Sequence, residues 1–182
     1  MMRAVDEDRG PMTRLTLGAI DESAIGPWQA SIKAVVGKDA ELDGLRDRAA
    51  AAGTWHDHGV EFGVLEGGRL VALVQAFHCP RVSSPGAYEV GVLVLESSER
   101  GRGVGTAALT LLTELLFVER NAHRVYFLTD IDNTAMRRSG ERIGFRLEGI
   151  VRGSVELDGQ LHDDALYGLT RDDPRMHVAA LA

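Results

Sequence analysis

Glu89 is the one charged side chain in an otherwise apolar run, Tyr88-Glu89-Val90-Gly91-Val92-Leu93-Val94-Leu95. A carboxylate among apolar neighbours has to be paired, hydrated or put to use. Burial would raise its proton affinity towards that of a working base. Two readings stand side by side: a general base, or a structural ion pair with an arginine at the mouth of a strand. The run breaks at Glu96-Ser97-Ser98-Glu99, turns through Arg100-Gly101-Arg102-Gly103-Val104-Gly105-Thr106 and continues as an amphipathic helix. Strand, glycine-rich turn and helix in this order leave free backbone N–H groups at a helix N-terminus, where the helix dipole also favours an anion. A phosphate-bearing ligand is the first expectation.

Two common phosphate loops do not fit. The P-loop requires GxxxxGK[ST], and no lysine follows these glycines. The dinucleotide fingerprint GxGxxG fails at its third glycine, because Gly101 and Gly103 are followed by Thr106. The strands before the turn also read as hairpins, not as the βαβαβ series of a dinucleotide fold.

The elements that must position these residues follow from hydrophobic period and turn chemistry. Residues 13–20 alternate as a short strand, and residues 22–36 and 39–52 read as two helices. Pro27 lies near the start of the first, and Gly37 and Gly53 stand where helix C-caps are expected. Residues 60–65 and 70–77 form a hairpin across Glu66-Gly67-Gly68-Arg69. Residues 78–87 make a loop with two prolines. Residues 88–95, apolar on both faces apart from Glu89, have the pattern of a central strand. Val104, Ala107, Ala108, Leu111, Leu112, Leu115 and Leu116 then form one helical stripe. A strand over 124–129 and a helix over 133–143, closed by Gly144-Phe145, precede a last hairpin. Its strands are 146–157 and 162–169, joined across Asp158-Gly159. The order β-α-α-β-β-β-α-β-α-β-β predicts a mixed α/β (α+β) domain over 13–170. Its central sheet is mostly antiparallel, with one β-α-β crossover. Residues 1–12 are expected to be a disordered lead-in and 171–182 a fraying tail.

Bulk properties narrow the function classes. The 182 residues suit one domain, with 45% hydrophobic and 26% charged residues, as in ordinary soluble proteins. The net charge of −7, with no dominant basic stripe, argues against general binding to nucleic acid or lipid surfaces. No run approaches the roughly 18 apolar residues of a membrane span. The charged start MMRAVDEDRGPM and the single cysteine, Cys79, predict a cytoplasmic, reduced protein. Trp55-His56-Asp57-His58 reads as a polar turn or a substrate-facing loop, and no metal is expected there. Asp130, Asp132, Asp163 and Asp164 either attract an ammonium or simply solvate the surface.

Arg100-x-x-Gly103-x-Gly105, following Leu93-x-Leu95, resembles the acyl-CoA signature of the GNAT superfamily of N-acyltransferases. Asn133 opening a helix that closes on Gly144-Phe145 is similar to that family's second signature. Leu147-Glu148-Gly149 with Arg152, then Asp158-Gly159, His162-Asp163 and Tyr167, resembles the ribosomal-protein N-terminal acetyltransferase subgroup, the RimJ/RimL type. The resemblance implies a GNAT fold and transfer of an acetyl group from acetyl-CoA to a primary amine in a ternary complex. The acceptor would be a peptide N-terminus, a polyamine, an amino acid or an amino-sugar drug, and a homodimer is possible. Glu89 would act as base through water. Backbone N–H groups around Leu93 and Leu95 would contact pantetheine. Amides of Gly101, Gly103, Val104, Gly105 and Thr106 would hold the pyrophosphate, with charge from Arg100 and Arg102. Asn133 and Ser139 would lie beside the CoA arm. Simpler readings accompany these: Arg102 as a solvated arginine, Thr106 as a first-turn cap and Asn133 as an N-cap.

The sequence departs from the family at the general acid. The usual tyrosine, five residues before Phe145, is Gly140 here, and the subgroup's alternative serine is Met136. The proton donor is then dispensable, a water, or one of Tyr126, His162 and Tyr167. The same gap supports an alternative, a non-catalytic acyl-CoA-binding or sensing module.

Overall fold

The structure is a computed structural model that describes residues 14–36, 39–57, 59–78, 86–157 and 159–174. The expected lead-in, Gly37, His58, Cys79 with most of the proline loop, Asp158 and the tail from 175 lie outside the described residues. In chain order the elements are β1 (Leu15–Gly18), α1 (Ile25–Val36), α2 (Leu42–Ala50), β2 (Gly59–Glu66), β3 (Arg69–His78) and β4 (Ala87–Val94). They continue as α3 (Val104–Val118), β5 (Arg124–Asp130), α4 (Thr134–Ile143), β6 (Arg146–Leu157) and β7 (Gln160–Thr170). This is the predicted order. The seven strands form one sheet, β1-β2-β3-β4-β5-β7-β6. Every pairing is antiparallel except β4 with β5.

Boundaries differ from the sequence expectation mainly at the N-terminal helices. A single 3-10 turn, Glu22–Ala24, precedes α1, because the Asp21 carboxylate caps the backbone N–H of Ser23. The second helix starts at Leu42 rather than 39, since Glu41 is extended and Leu45 and Ala49 supply its buried face.

β4 lies fourth of seven, as its two-sided apolarity predicts. Tyr88 and Val90 pack into a core with Ala108, Leu112 and Leu116 of α3 and Phe127 of β5. Leu93 and Leu95 instead meet Trp28 of α1 and Leu45 of α2. Alternation along the strand thus puts α3 and α4 over one face and α1 and α2 over the other.

The pairing of β4 with β5 is short. It joins Ala87 to Arg124, Tyr88 to Val125 and Glu89 to Tyr126, and goes no further. β4 stays paired with β3 as far as Val94, while β5 runs on beside β7 to Asp130. The two central strands therefore part after Glu89 and leave a wedge inside the sheet.

Candidate active site

Gly101 and Gly103 take positive φ, +79° and +90°, so the turn bends as few other residues allow. Gly103 is the N-cap of α3, and its carbonyl accepts the Ala107 N–H at 3.0 Å. The first-turn amides of Val104, Gly105 and Thr106 have no carbonyl one turn earlier to bond, as at any helix start. A cavity of about 450 Å³ opens in front of them, walled by β4, the turn and α4. Leu93, Arg100, Gly101, Gly103, Gly105, Thr106, Asn133 and Ser139 line it. Thr106 donates its hydroxyl to Ser139 Oγ at 3.0 Å, which ties α3 to α4. Asn133 caps α4 by accepting the Met136 N–H, and its amide nitrogen donates to Thr129.

Arg102 falls elsewhere than expected, and the backbone groups expected around Leu93 and Leu95 prove to be those of their neighbours. Leu95 donates its N–H to Val71 O at 3.2 Å, and its carbonyl accepts the Ser31 hydroxyl. Both of its backbone groups are used. Bonding alternates along an antiparallel ladder, so Leu93, opposite Leu73, also turns its backbone to β3. The groups directed into the wedge are those of Val92 and Val94, which line the cavity. Arg102 neither points at the cavity nor stands free in solvent: its guanidinium bonds Glu66 and Glu99. Val104 is 1% exposed, so only its backbone can serve a ligand.

Arg69 also bonds Glu66 and Glu99, which completes a cluster that fastens the glycine turn to the β2–β3 hairpin. Burial pushes the Glu99 carboxyl up, but hydrogen bonds from Arg102 and Arg69 outweigh it and hold its pKa below the ordinary value. A depressed folded-state pKa gives stability that is full above the unfolded carboxylate pKa and is lost as pH falls through the folded one. Glu99→Gln is therefore expected to cost about 1–3 kcal/mol at neutral pH, by leaving charged partners unsatisfied. Urea titrations should show this gap narrowing below about pH 4, the ordinary carboxylate range. A gap independent of pH would rule out the ion cluster as its source.

Glu89 is half-buried, on the face of β4 turned to α1 and α2. Its partner is a tyrosine rather than an arginine: Tyr126 donates its hydroxyl to Glu89 Oε2 at 3.0 Å. The nearby Arg124 is committed to Glu148. Of the three proton donors considered from sequence, Tyr126 alone stands beside Glu89. Tyr167 is fully buried and donates to Glu141 at 2.7 Å, while His162 bonds Asp130 at 2.8 Å, four residues beyond Tyr126 on β5.

A second cavity, about 290 Å³, lies between α1, α2 and the sheet. Trp28, Ile32, Leu73, Gln75 and Gly91 line it, with Arg48 at the side. It shares Val92 and Leu93 with the first cavity. Arg48 is fixed by Glu61 and lies 4.7 Å over the Trp28 ring. The sequence did not single out this wall; the Trp28 and Arg48 pairing joins two helices and has no local signature. Trp55, read from sequence as part of a polar turn or a substrate-facing loop, lies away from this cavity. Trp55 packs against His78 and Tyr88, with Arg120 4.2 Å over its ring. Tyr88 points away from Glu89, so Trp55 belongs to the opposite face of the sheet.

The missing tyrosine in α4 has a packing cause. A Cβ on Gly140 would come within 2.5 Å of Phe127 Cζ. Phe127 is itself locked, stacked on Tyr167 and tilted against Phe145, each at 5.1 Å. Gly140→Ala gains about 1 kcal/mol of helix propensity. The overpacking costs typically 1–3 kcal/mol. The expected net result is a lower Tm, and a raised Tm would show that Phe127 gives way freely.

The profile of the family described as acetyltransferase (GNAT) domain matches residues 10–146. Among curated proteins, YdaF of Bacillus subtilis (strain 168), provisionally named a ribosomal N-acetyltransferase, is 31% identical over 114 residues. That match covers 63% of this chain and 61% of YdaF, so the chain spans under two thirds of that relative's length. Among solved structures, RimJ of Mycobacterium smegmatis in complex with CoA-disulfide superposes with TM-score 0.74 at 20% identity. That match covers 94% of this chain and 91% of RimJ. RimL, a ribosomal L7/L12 α-N-protein acetyltransferase in complex with coenzyme A, gives TM-score 0.73 at 19% identity over 90% of this chain and 97% of its own. The likeness to these two structures is one of fold. On the strength of the matched profile, this chain belongs to the GNAT acetyltransferase domain family.

Proposed function

We propose that the protein is an N-acetyltransferase that moves an acetyl group from acetyl-CoA to a primary amine within a ternary complex. The observation that carries the reading is that two cavities share Val92 and Leu93 of β4 in their walls. One is headed by the glycine turn and the other is walled by Trp28 and Ile32. Direct transfer needs such an arrangement, with donor and acceptor held together and aligned.

The first-turn amides of α3 hold the pyrophosphate, and the wedge-facing backbone of Val92 and Val94 orders the pantetheine arm. Glu89, at the apex of the wedge, takes the proton of the incoming amine through a water. Tyr126 orients that carboxylate by its hydrogen bond. The thioester supplies the acyl group, and its sulfur leaves as a thiolate, a far better leaving group than an alkoxide. The acceptor amine enters from the side of α1 and α2. Its cavity is apolar apart from Gln75 and an arginine already paired with Glu61. These walls suit a peptide N-terminus or a small amine with an apolar arm better than a polycation.

Amine-dependent thiol release from acetyl-CoA, measured across a panel of peptides and small amines, tests the proposal. No release with any amine, from folded protein that binds CoA, would leave the second reading, an acyl-CoA-binding or sensing module. Gly140 and Met136, which stand where the family places its acids, favour that second reading.

A further inference from the structure

Gln75 is the one polar side chain between Leu70 and Phe77 of β3, a strand paired on both edges and packed on both faces. A polar group placed there has to be bonded or put to use. Its carboxamide oxygen is taken: Arg48 donates to Gln75 Oε1 at 3.5 Å. Arg48 is itself fixed by two hydrogen bonds to Glu61, which faces Gln75 across β2 and β3. Glu61, Arg48 and Gln75 form a chain with one sense. A guanidinium only donates, so the carboxamide turns its oxygen to Arg48 and its nitrogen away. Among the described residues that nitrogen has no hydrogen-bond partner.

Gly91 shows where the nitrogen lies. It stands opposite Gln75 in the β3–β4 register, and a Cβ there would come 2.7 Å from Gln75 Nε2. The carboxamide therefore reaches across β4 into the space that a side chain at 91 would fill. Gln75 and Gly91 both line the second cavity. Glu89 is two residues back on the same face of β4, a rise of about 7 Å. An amine linked to Glu89 through a water and an oxygen bonded to Gln75 Nε2 fit one small acceptor with the two groups on neighbouring carbons. The first residue of a peptide has this arrangement, an amine beside a carbonyl. A plain alkylamine offers no oxygen at that place.

We infer that Gln75 is a specificity-determining residue that donates a hydrogen bond to the carbonyl oxygen of the acceptor's first residue, so that the protein prefers α-amino amides to amines of the same shape without that oxygen. The inference rests on the N-acetyltransferase reading above. An acceptor that lacks the oxygen covers the Gln75 N–H group without pairing it, which is how a polar site rejects an apolar analogue.

Steady-state acetylation of L-alaninamide and sec-butylamine, near-isosteres that differ at the carbonyl, tests it in wild type, Gln75→Met and Gln75→Glu. Both replacements keep the length of the side chain and remove the donors. Gln75→Met should lower the ratio of kcat/KM values, alaninamide over butylamine, by about 5- to 10-fold, the weight of one hydrogen bond. The loss should fall on alaninamide alone, and comparing ratios cancels the different pKa values of the two amines. Gln75→Glu should lower the ratio at least as far, because a carboxylate repels the carbonyl oxygen. Coenzyme A affinity should stay at the wild-type level in both. Equal losses for the two amines would overturn the inference, by making Gln75 part of the packing of the wall, and an unchanged ratio would overturn it as well. Wild-type turnover of sec-butylamine without turnover of L-alaninamide would overturn it and leave the transferase reading standing. If wild type binds coenzyme A yet acetylates neither amine, the transferase reading falls and the inference with it.

Discussion

Glu89→Gln is expected to lower kcat/KM for amine acetylation by about 10²–10⁴-fold near neutral pH, the usual weight of a positioned general base. The substitution keeps the shape of the side chain, and a carboxamide oxygen can still accept the Tyr126 hydroxyl that now bonds Glu89 Oε2. Fold and coenzyme A affinity should therefore be preserved, and the loss should appear in turnover. The deficit should be greatest at lower pH, where nearly all the acceptor is ammonium, and should shrink as pH approaches the pKa of the amine. A variant whose pH–rate profile parallels that of wild type would remove Glu89 from the base role. Tyr126→Phe separates positioning from proton transfer: it frees the carboxylate without removing it, so its loss should be smaller and the pH profile should keep the wild-type limb.

Gly105→Asp should have a comparably large effect, on binding instead of turnover. A Cβ at position 105 would meet only Val94 Cγ2, at 3.6 Å, which is ordinary contact. An acidic side chain in the first turn of α3 also suits the helix dipole, so the ligand-free protein should be as stable as wild type or slightly more so. The same carboxylate would face the phosphates in the cavity that Gly105 lines. Losing two charge-assisted hydrogen bonds, at about 1.5 kcal/mol each, corresponds to roughly 100-fold weaker coenzyme A binding. Thermal shift with and without coenzyme A checks both halves. Undiminished ligand stabilisation would show that the phosphates bind elsewhere.

The features legible in the sequence are those written locally. Two-sided apolarity marked β4 as a central strand. A glycine turn before a helical stripe marked the anion site, and Asn133 with Gly144 marked both ends of α4. What was not legible depends on partners far along the chain. Arg100 and Arg102 look alike in sequence, yet Glu66, 36 residues before Arg102, takes one of them out of the cavity. Which amides face the wedge is a matter of parity: Leu95 bonds Val71, so Val92 and Val94 point outwards, and composition cannot reveal that. The tyrosine partner of Glu89 appears only once β5 is set in register against β4. The wall of the second cavity joins two helices and one strand pair, none of which carries a motif.

The contact between position 140 and Phe127 also bears on how this chain could change. A tyrosine at 140 and a phenylalanine at 127 cannot occupy the same space. Introducing the tyrosine alone would overfill the layer between α4 and the sheet. Emptying position 127 alone would open a cavity at a cost of about 3–5 kcal/mol. Each step is harmful by itself, and a smaller residue at 127 offsets the tyrosine at 140. A double-mutant cycle should therefore show strong favourable coupling. A mutational route to a tyrosine acid in α4 crosses a valley, and single-substitution libraries should miss it while paired libraries at 127 and 140 recover it.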